Sequence, residues 1–242
     1  MSVAVLEAFV TNLGKYVGGE LCGEWLKLPA KTEDVKALFA KIGVDGVVYE
    51  EFFITTYKTD IPGLCDRMGE YESIDELNYL ATLLSDMDEW EMERFTAALE
   101  YGEYTSSAKD LINLTQNLDC YDYCPGVQNE EDLGYYLIDE LCMLDIPENI
   151  QSYFDYEAYG RDVSLEDGGV FGADGYIVMG GGFTEQYSGR EDIPDECRIF
   201  AFPDIEKMSM KDRFKLYQQM IPALAAADSR APERPRAANA EL

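Results

Sequence analysis

Residues 72–102 read ESIDELNYLATLLSDMDEWEMERFTAALEYG, and this stretch decides whether the middle of the chain folds. It holds nine carboxylates and a single basic residue, Arg94. Segments this acidic are often disordered, because they cannot bury enough apolar surface. Here, however, apolar residues recur every three or four positions, which is the spacing of one helix face: Ile74, Leu77, Leu80 and Leu84. We therefore expect a folded body that holds its charges at fixed positions on the outside.

Capping residues predict where the helices of this region begin. Ser73, followed three residues later by Glu76, predicts a capping box. Asp88 predicts the start of a second helix that runs through Tyr101, and a third helix is expected over residues 106–116. The central part of the chain is therefore predicted to be a helical unit.

Charge is concentrated in the same region. The 242 residues include 48 acids, 19 bases and no histidine, which gives a formal net charge of −29. Residues 1–68 hold ten acids and seven bases, residues 69–167 hold 26 and three, and residues 168–242 hold 12 and nine. A surface of this sign repels nucleic acid and anionic membranes and attracts basic partners.

The N-terminal part predicts a small α/β unit. Strands are expected over residues 3–12, 22–28 and 49–58, where apolar and β-branched residues are bounded by glycine-rich turns. A helix is expected from Thr32 to Gly43, because the segment begins with a capping residue and ends on glycine.

A second α/β unit is predicted after the central helices. Residues 118–126 favour a short strand or turn, and a hairpin is expected around Gly172–Gly175. Between them, Asn129 predicts the start of a helix that runs to Pro147, and a further helical stretch is expected through Tyr159 to Arg161.

The remaining sequence predicts an extension. Residues 180–196 are interpreted as a glycine-rich and then acidic linker, and residues 197–202 as a late strand. A late helix is expected from Ser209 to Ile221, and the tail after Pro222 is expected to be disordered.

Together these features predict an α+β fold, arranged as an elongated chain of small domains. The predicted divisions are an α/β domain at 1–69, an acidic helical domain at 70–117, an acidic α/β domain at 118–180, an extension at 181–221 and a tail at 222–242.

The composition argues against most catalytic sites. Histidine-dependent catalysis is excluded because the chain has no histidine. The six cysteines are scattered without a C-x-x-C pair, so we predict reduced thiols and no metal or cofactor. The first residues do not form a signal peptide and no apolar run reaches membrane-spanning length, so we expect a cytoplasmic protein without membrane contact.

Four motifs follow one another along the chain: NLGKYVGGELCGEWLKLP, YESIDELNYLATLLSDM, DLGYYLIDELCMLDIPENIQSYFDYEAYGRDV and GVF. Together they resemble the ArdA antirestriction proteins, and the likeness covers about residues 5 to 178. The block YFDYEAYGRD is its most specific part. The chain departs from the family in extra sequence around residues 114–128 and in its continuation past Gly180.

The resemblance implies a function. Proteins of this family mimic DNA: they are elongated, mostly dimeric, built of three small domains, and occupy the DNA-binding groove of type I restriction–modification enzymes, which protects incoming mobile DNA. By this likeness we expect a non-catalytic inhibitor, a homodimer, a type I restriction–modification enzyme as partner and no bound nucleic acid. Residues 133–147 would match the family's antirestriction motif, close to the dimer contact.

These expectations name candidate residues. The carboxylates expected to stand in for phosphates are Glu72, Asp75, Glu76, Asp86, Asp88, Glu89, Glu91, Glu93, Glu100, Glu103, Asp110, Asp119, Asp122, Glu130, Glu131, Asp132, Asp139 and Glu140. The residues expected at the dimer contact are Leu133, Tyr136, Leu137, Leu141 and Leu144.

Arg161 is expected to have a structural role. It precedes Asp162 and follows Glu157 by four residues and Asp155 by six. An arginine placed there predicts a clamp on neighbouring carboxylates or backbone carbonyls.

Two other functions remain open at this point. An acidic adaptor or chaperone would bind basic DNA-binding proteins without imitating DNA geometry. A carboxylate-dependent enzyme, using a pair such as Asp119 and Asp122, is the weaker alternative. The abundant tyrosines favour ordinary packing at the edge of the core over a surface that stacks on arginines.

Overall fold

The computed structural model describes residues 5–204 and, beyond them, positions 210, 211, 214 and 218. Helices and strands are both present, with two small antiparallel sheets, which confirms the predicted α+β class. No helix in this described part is both long and apolar enough to cross a membrane.

Three antiparallel strands form the first sheet: β1 (Leu6–Asn12), β2 (Gly23–Leu28) and β3 (Phe52–Lys58). The strand order is β2-β1-β3, so β1 lies in the middle. A short helix, α1 (Leu13–Val17), connects β1 to β2, and α2 (Thr32–Ile42) follows the second strand. The three predicted strands and the predicted helix are confirmed.

Three helices form the centre of the chain: α3 (Ile74–Asp86), α4 (Glu89–Tyr101) and α5 (Ala108–Thr115). All three were predicted. At the start of α4, the Asp88 carboxylate accepts a hydrogen bond from the Glu91 amide at 2.8 Å, and the Glu91 carboxylate accepts one from the Asp88 amide at 3.0 Å. This capping box fixes two acidic side chains at the exposed end of the helix.

The capping box predicted at the start of α3 is wrong. The Ser73 side chain makes no capping hydrogen bond, although Ser73 is the N-cap residue. The Glu76 carboxylate instead accepts a hydrogen bond from the Tyr187 hydroxyl at 3.0 Å. The Glu76 side chain is therefore bound to Tyr187, 111 residues away, and not to the N-terminal end of α3 as the local pattern predicted.

The second sheet contains β4 (Tyr121–Pro125), β5 (Val170–Phe171) and β6 (Gly175–Met179) in the order β4-β6-β5. The predicted short strand and the predicted hairpin are confirmed. Between β4 and β5 lie the helices α6 (Glu130–Tyr135), α7 (Glu148–Gln151) and α8 (Tyr156–Asp167).

The helix that begins after Asn129 is shorter than predicted. After α6 the chain forms one π-helical turn over Tyr136–Glu140, where the Leu141 amide donates to the Tyr136 carbonyl at 3.1 Å. Cys142 then adopts a left-handed conformation with φ +52°, which ends the helix well before Pro147.

Two glycines allow α6 and α8 to pack at very close range. A Cβ atom added at Gly134 would lie 2.0 Å from the Tyr156 carbonyl oxygen, and one added at Gly160 would lie 1.9 Å from the Glu130 carbonyl oxygen. Any side chain at either position would push the helices apart. Both glycines belong to the long motif DLGYY…YGRDV, so the motif encodes this contact.

The buried apolar residues form three clusters that share elements. One cluster is centred on the first sheet and α2 but includes Ile74 and Leu77 from α3. A second is built from α3, α4 and α5 and includes Tyr121 and Ile177 from the second sheet. A small third cluster packs α6 on the second sheet. The proposed domain boundaries stay a prediction.

Residues 183–204, called the strap from here on, correct two predictions. The linker expected over residues 180–196 is packed on the body: Tyr187 and Ile193 are buried. The strand expected over residues 197–202 is absent; this part of the chain pairs with no strand in the described structure. The Asp75 carboxylate accepts the amides of Ile199 and Phe200, both at 2.7 Å, and so replaces a neighbouring strand.

The late helix predicted for Ser209–Ile221 and the tail predicted after Pro222 lie outside the described residues, apart from the four positions named above. Those four positions are helical.

Candidate partner-binding surface

Residues 69–167 carry most of the exposed carboxylates of the described chain. Of the 26 carboxylates in residues 69–167, twenty are exposed and six are partly buried. Twelve of the predicted carboxylates are among the exposed ones, and we call them the acidic surface. They are Asp86, Asp88, Glu89, Glu91, Glu93, Glu100, Glu103, Asp119, Asp122, Glu131, Asp139 and Glu140.

The other six predicted carboxylates are partly buried: Glu72, Asp75, Glu76, Asp110, Glu130 and Asp132. Most of them accept hydrogen bonds from the chain itself. The Glu72 carboxylate accepts from the Gly69 amide at 3.1 Å, and the Asp110 carboxylate accepts from the Ser106 amide at 3.2 Å. These side chains hold loops and helix ends in place, so they contribute less to an outward-facing charge array.

Eight more exposed carboxylates of the same region were missed: Glu70, Asp145, Glu148, Asp155, Glu157, Asp162, Glu166 and Asp167. The signal that could have identified them is the charge count itself, because residues 69–167 contain almost no cations.

Very little of this negative charge is neutralised inside the chain. Among the described residues, Asp162 alone of the twenty exposed carboxylates forms an ion pair. The Arg94 guanidinium lies over the Trp90 ring, 5.4 Å from its centroid. The Lys109 ammonium pairs with Glu185 of the strap. The acidic surface is thus left to interact with solvent, ions or a basic partner.

Among the described residues Arg161 pairs with one neighbouring carboxylate, and this contact is weaker than the predicted clamp. Its guanidinium makes one long ion pair, 3.6 Å, with Asp162, and both side chains are more than half exposed. In the described residues neither Asp155 nor Glu157 pairs with it; the Asp155 carboxylate caps α8 by accepting the Ala158 amide at 3.0 Å. An exposed pair of this kind contributes about 0–1 kcal/mol, since solvent screens it.

The predicted dimer residues lie in different environments. Leu133 is buried in the core of its own unit, 1% exposed, so it cannot form an outward contact. Tyr136 and Leu137 are half-buried. Leu141 and Leu144 are exposed, at 51% and 43%.

Neighbouring residues enlarge the exposed apolar area. We define the apolar surface as Leu141, Met143, Leu144, Ile150 and Tyr153, all exposed. Met143, Ile150 and Tyr153 were missed by the sequence interpretation.

Several tyrosines lie inside the core, deeper than the core-edge positions predicted from the sequence. Tyr121, Tyr176 and Tyr187 are at most 2% exposed. Burial raises the pKa of Tyr176 to about 12, and it also raises the pKa of Tyr121, to which the nearby Glu103 carboxylate adds. In both cases the neutral phenol is favoured because ionisation would place a charge in a poorly solvated site.

The described residues offer little for catalysis or metal binding. No group of three or more Cys, Asp or Glu side chains among them could hold a metal ion. The cysteines are free thiols. An open cleft of about 380 Å³ beside α4 is lined by Glu93, Glu100 and Asp174 together with apolar side chains.

Most of the chain matches a known protein family. The family model for antirestriction protein (ArdA) matches residues 8–178. The chain belongs to the ArdA antirestriction family. The match includes all eight helices labelled above and both sheets, apart from the first two residues of β1 and the last residue of β6. It ends before the strap. No curated protein matches the chain.

Membership of the ArdA family gives the chain an antirestriction function. ArdA proteins are inhibitors rather than catalysts, and restriction enzymes are the partners that this function implies. For an ArdA protein, the acidic surface and the apolar surface are therefore the two candidate sites of interaction.

Proposed function

We propose that this ArdA-family protein imitates B-form DNA and occupies the DNA-binding groove of type I restriction–modification enzymes. The observation that carries the proposal is the acidic surface: twelve exposed carboxylates on folded elements, none paired with a cation in the described part of the chain. Family membership supports the antirestriction role, and the fixed charges support the manner of inhibition.

The charge of residues 69–167 is comparable to that of a short DNA duplex. Residues 69–167 carry a net charge of −23, from 26 acids and three bases. Duplex DNA carries one charge per roughly 1.7 Å of helix axis, so 23 charges correspond to about 40 Å of duplex. Neighbouring side chains on one helix face lie about 5–6 Å apart, which suits an array that meets phosphate-binding residues one by one.

A dimer would extend this array. The exposed side chains of the apolar surface favour burial against a second copy, and a two-fold contact would bring two acidic bodies together. The two copies would carry a formal charge of −58, twice −29, which corresponds to roughly 100 Å of duplex.

The test is a restriction and methylation assay with a purified type I enzyme and increasing amounts of the protein. We expect inhibition of restriction, displacement of the protein by duplex DNA, and binding that weakens steeply as salt is raised. Inhibition that duplex DNA cannot relieve would contradict DNA mimicry. Equal binding to unrelated polycations would instead favour the acidic adaptor.

The dimer is tested by light scattering. We expect the variant Leu144→Asp to be monomeric at micromolar concentration, and the exposed control Val17→Asp, on α1, to remain dimeric. A fully inhibitory wild-type monomer would contradict the proposal.

A further inference from the structure

The strap lies outside the residues that the family model matches, yet it packs on the rest of the protein. It follows Gly181 and Gly182, which both have positive φ values of +92° and +87°. Positive φ favours glycine, and these two residues let the chain turn away from β6 and back over the helices.

The first half of the strap is held by two buried amides of α5 and its C-terminal end. Asn113 accepts the amides of Gln186 and Tyr187 at 2.8 and 2.9 Å and donates to the Tyr187 carbonyl at 2.8 Å. Asn117 donates to the Thr184 carbonyl at 2.9 Å and accepts the Thr184 amide at 3.0 Å. Two side chains therefore satisfy five backbone groups of the strap.

The strap then reaches α3. The Tyr187 hydroxyl donates to Glu76 at 3.0 Å, and the Tyr187 ring lies 5.9 Å from that of Tyr79. The Asn78 side chain donates to the Cys197 carbonyl at 3.1 Å. Its oxygen accepts the Ala30 amide at 2.8 Å, so one buried residue joins α3, the strap and the N-terminal sheet unit.

The end of the strap is anchored in the N-terminal unit. Phe202 covers Gly46, where an added Cβ would lie 2.6 Å from the ring. The rings of Phe200 and Phe202 lie 5.7 and 6.0 Å from that of Phe39, and the Lys36 ammonium pairs with Asp204 at 3.1 Å.

We infer that the strap is a positioning element of the inhibitor: it braces α3 against α5 and thereby fixes the spacing of the acidic surface. The inference rests on the proposed function. The carboxylates of the acidic surface fall into two groups. One runs from Asp86, at the end of α3, along α4 to Glu103, and the other runs from Asp119 to Glu140. A groove built for a rigid duplex binds both groups best when their separation is fixed before binding, since ordering them on binding lowers affinity.

The variant Asn113→Ala/Asn117→Ala tests the brace. We expect it to inhibit restriction at roughly tenfold higher concentration than wild type, at a temperature where circular dichroism shows both to be folded. Hydrogen exchange should quicken in α3 and α5. Asn12→Ala is the matched control: Asn12 is a buried asparagine with three backbone partners, all inside the N-terminal unit. It should inhibit within about twofold of wild type.

Rescue separates positioning from general stability. The Cys197 thiol lies 3.8 Å from the Thr82 hydroxyl of α3, so Thr82→Cys places two sulfurs within bonding reach. Two thiols lose two electrons and two protons to an added disulfide oxidant, such as oxidised glutathione, which is reduced to two thiols. The background is Asn78→Ala, which removes the hydrogen bond from α3 to the Cys197 carbonyl, with Cys142→Ser to prevent cross-linking between copies. In this variant, shown by circular dichroism to be folded, oxidation should restore inhibition and reduction should remove it.

Unchanged inhibition by the folded double-alanine variant would overturn the inference, and so would failure of the disulfide to restore inhibition to the Asn78→Ala variant. If the double variant does not fold, Asn117→Ala alone takes its place and is judged by the same comparison of inhibition with wild type. Wild-type inhibition that duplex DNA cannot displace would overturn the proposed function instead, while the comparison of variants with wild type would still test the brace.

Discussion

Single residues matter most in this protein where they allow close approach. Gly160 lets α8 pack on α6, and no other residue type fits there. By contrast, Arg161 next to it has a single exposed ion pair, although charge alone made it the conspicuous residue of the motif.

We expect Gly160→Ala to destabilise the fold by about 1–3 kcal/mol or more, because its Cβ would lie 1.9 Å from the Glu130 carbonyl oxygen. Helix propensity alone would favour alanine by about 1 kcal/mol, so a loss of stability would report the contact. Denaturant unfolding measures the effect. Gly69→Ala is the control, since its Cβ would meet only the Glu72 carboxylate at 3.5 Å; equal effects of both changes would contradict the argument.

Buried phenols should make the protein sensitive to alkali. The pKa of Tyr176 is raised from 10.0 to about 12, and that of Tyr121 is raised in the same direction. The stabilisation is fully present below pH 10 and is lost as pH rises through the folded-state value. We expect the free energy of unfolding to fall between about pH 10 and 12.

Tyr121→Phe should flatten this alkaline dependence, because it removes the ionisable hydroxyl and leaves the ring in place. The exposed Tyr153→Phe, at a position 86% accessible to solvent, is the matched control. Denaturant unfolding at a series of pH values measures both. An alkaline loss as steep in Tyr121→Phe as in wild type would contradict the assignment.

At the scale of one element, α4 shows how the acidic surface works. Its N-terminal capping box fixes Asp88 and Glu91, while Phe95 and Ala98 bury the opposite face. Recognition by many screened contacts leaves no single carboxylate dominant, unlike the few residues that dominate an ordinary protein–protein interface. A change such as Glu131→Gln should therefore be nearly silent.

Neutralising a block of carboxylates should weaken inhibition progressively and reduce its dependence on salt. The block is Asp86→Asn, Asp88→Asn, Glu89→Gln, Glu91→Gln and Glu93→Gln. The melting temperature should change little, because two effects oppose each other. Relief of like-charge repulsion stabilises the fold. Loss of the favourable interaction with the helix dipole destabilises it by about 0.3–1 kcal/mol per charge. Inhibition assays at two salt concentrations, with melting followed in parallel, measure both effects.

The control is an equal change of charge elsewhere. Amide substitutions at five exposed carboxylates of the N-terminal unit change the net charge by the same amount: Glu20, Glu33, Glu50, Glu51 and Asp66. This block should leave inhibition nearly intact. Loss of all activity through one substitution in a folded protein would instead indicate a discrete site.

At the scale of the whole molecule, the stability of this ArdA-family protein depends on the strap, which lies beyond the residues that the family model matches. Tyr187, Ile193 and Ile199 complete cores formed mainly by earlier residues. At about 1.5–3 kcal/mol for each large buried side chain, their loss costs on the order of 6 kcal/mol, which is comparable to the whole stability of a typical domain.

We therefore expect a chain ending at residue 180 to be largely unfolded by circular dichroism and denaturant titration. A chain ending at residue 221 should match wild type in stability and inhibition, because residues 222–242 are near neutral, with three acids and three bases. Cooperative, wild-type-like unfolding of the shorter chain would show that the strap is dispensable for folding.

The local elements and the location of charge could be read from the sequence. Strands β1 to β3, helices α3 to α5 and the helix start at Asp88 depend on patterns within a few residues, and periodicity and capping residues report these directly. The acidic centre follows from counting. The family motifs add the antirestriction role, since they are themselves short contiguous patterns.

Only the tertiary structure decided which side chains are free to act. Glu76 and Asp75 hold the strap, Leu133 lies in a core, and Asn113 binds backbone 73 residues away. Each outcome depends on a partner distant in sequence, and no local pattern contains that partner. The partly buried carboxylates that hold the strap were therefore predicted as surface charge, and the buried amides that hold it were not noticed. The exposed carboxylates of α4, whose environment is solvent, were predicted correctly as exposed.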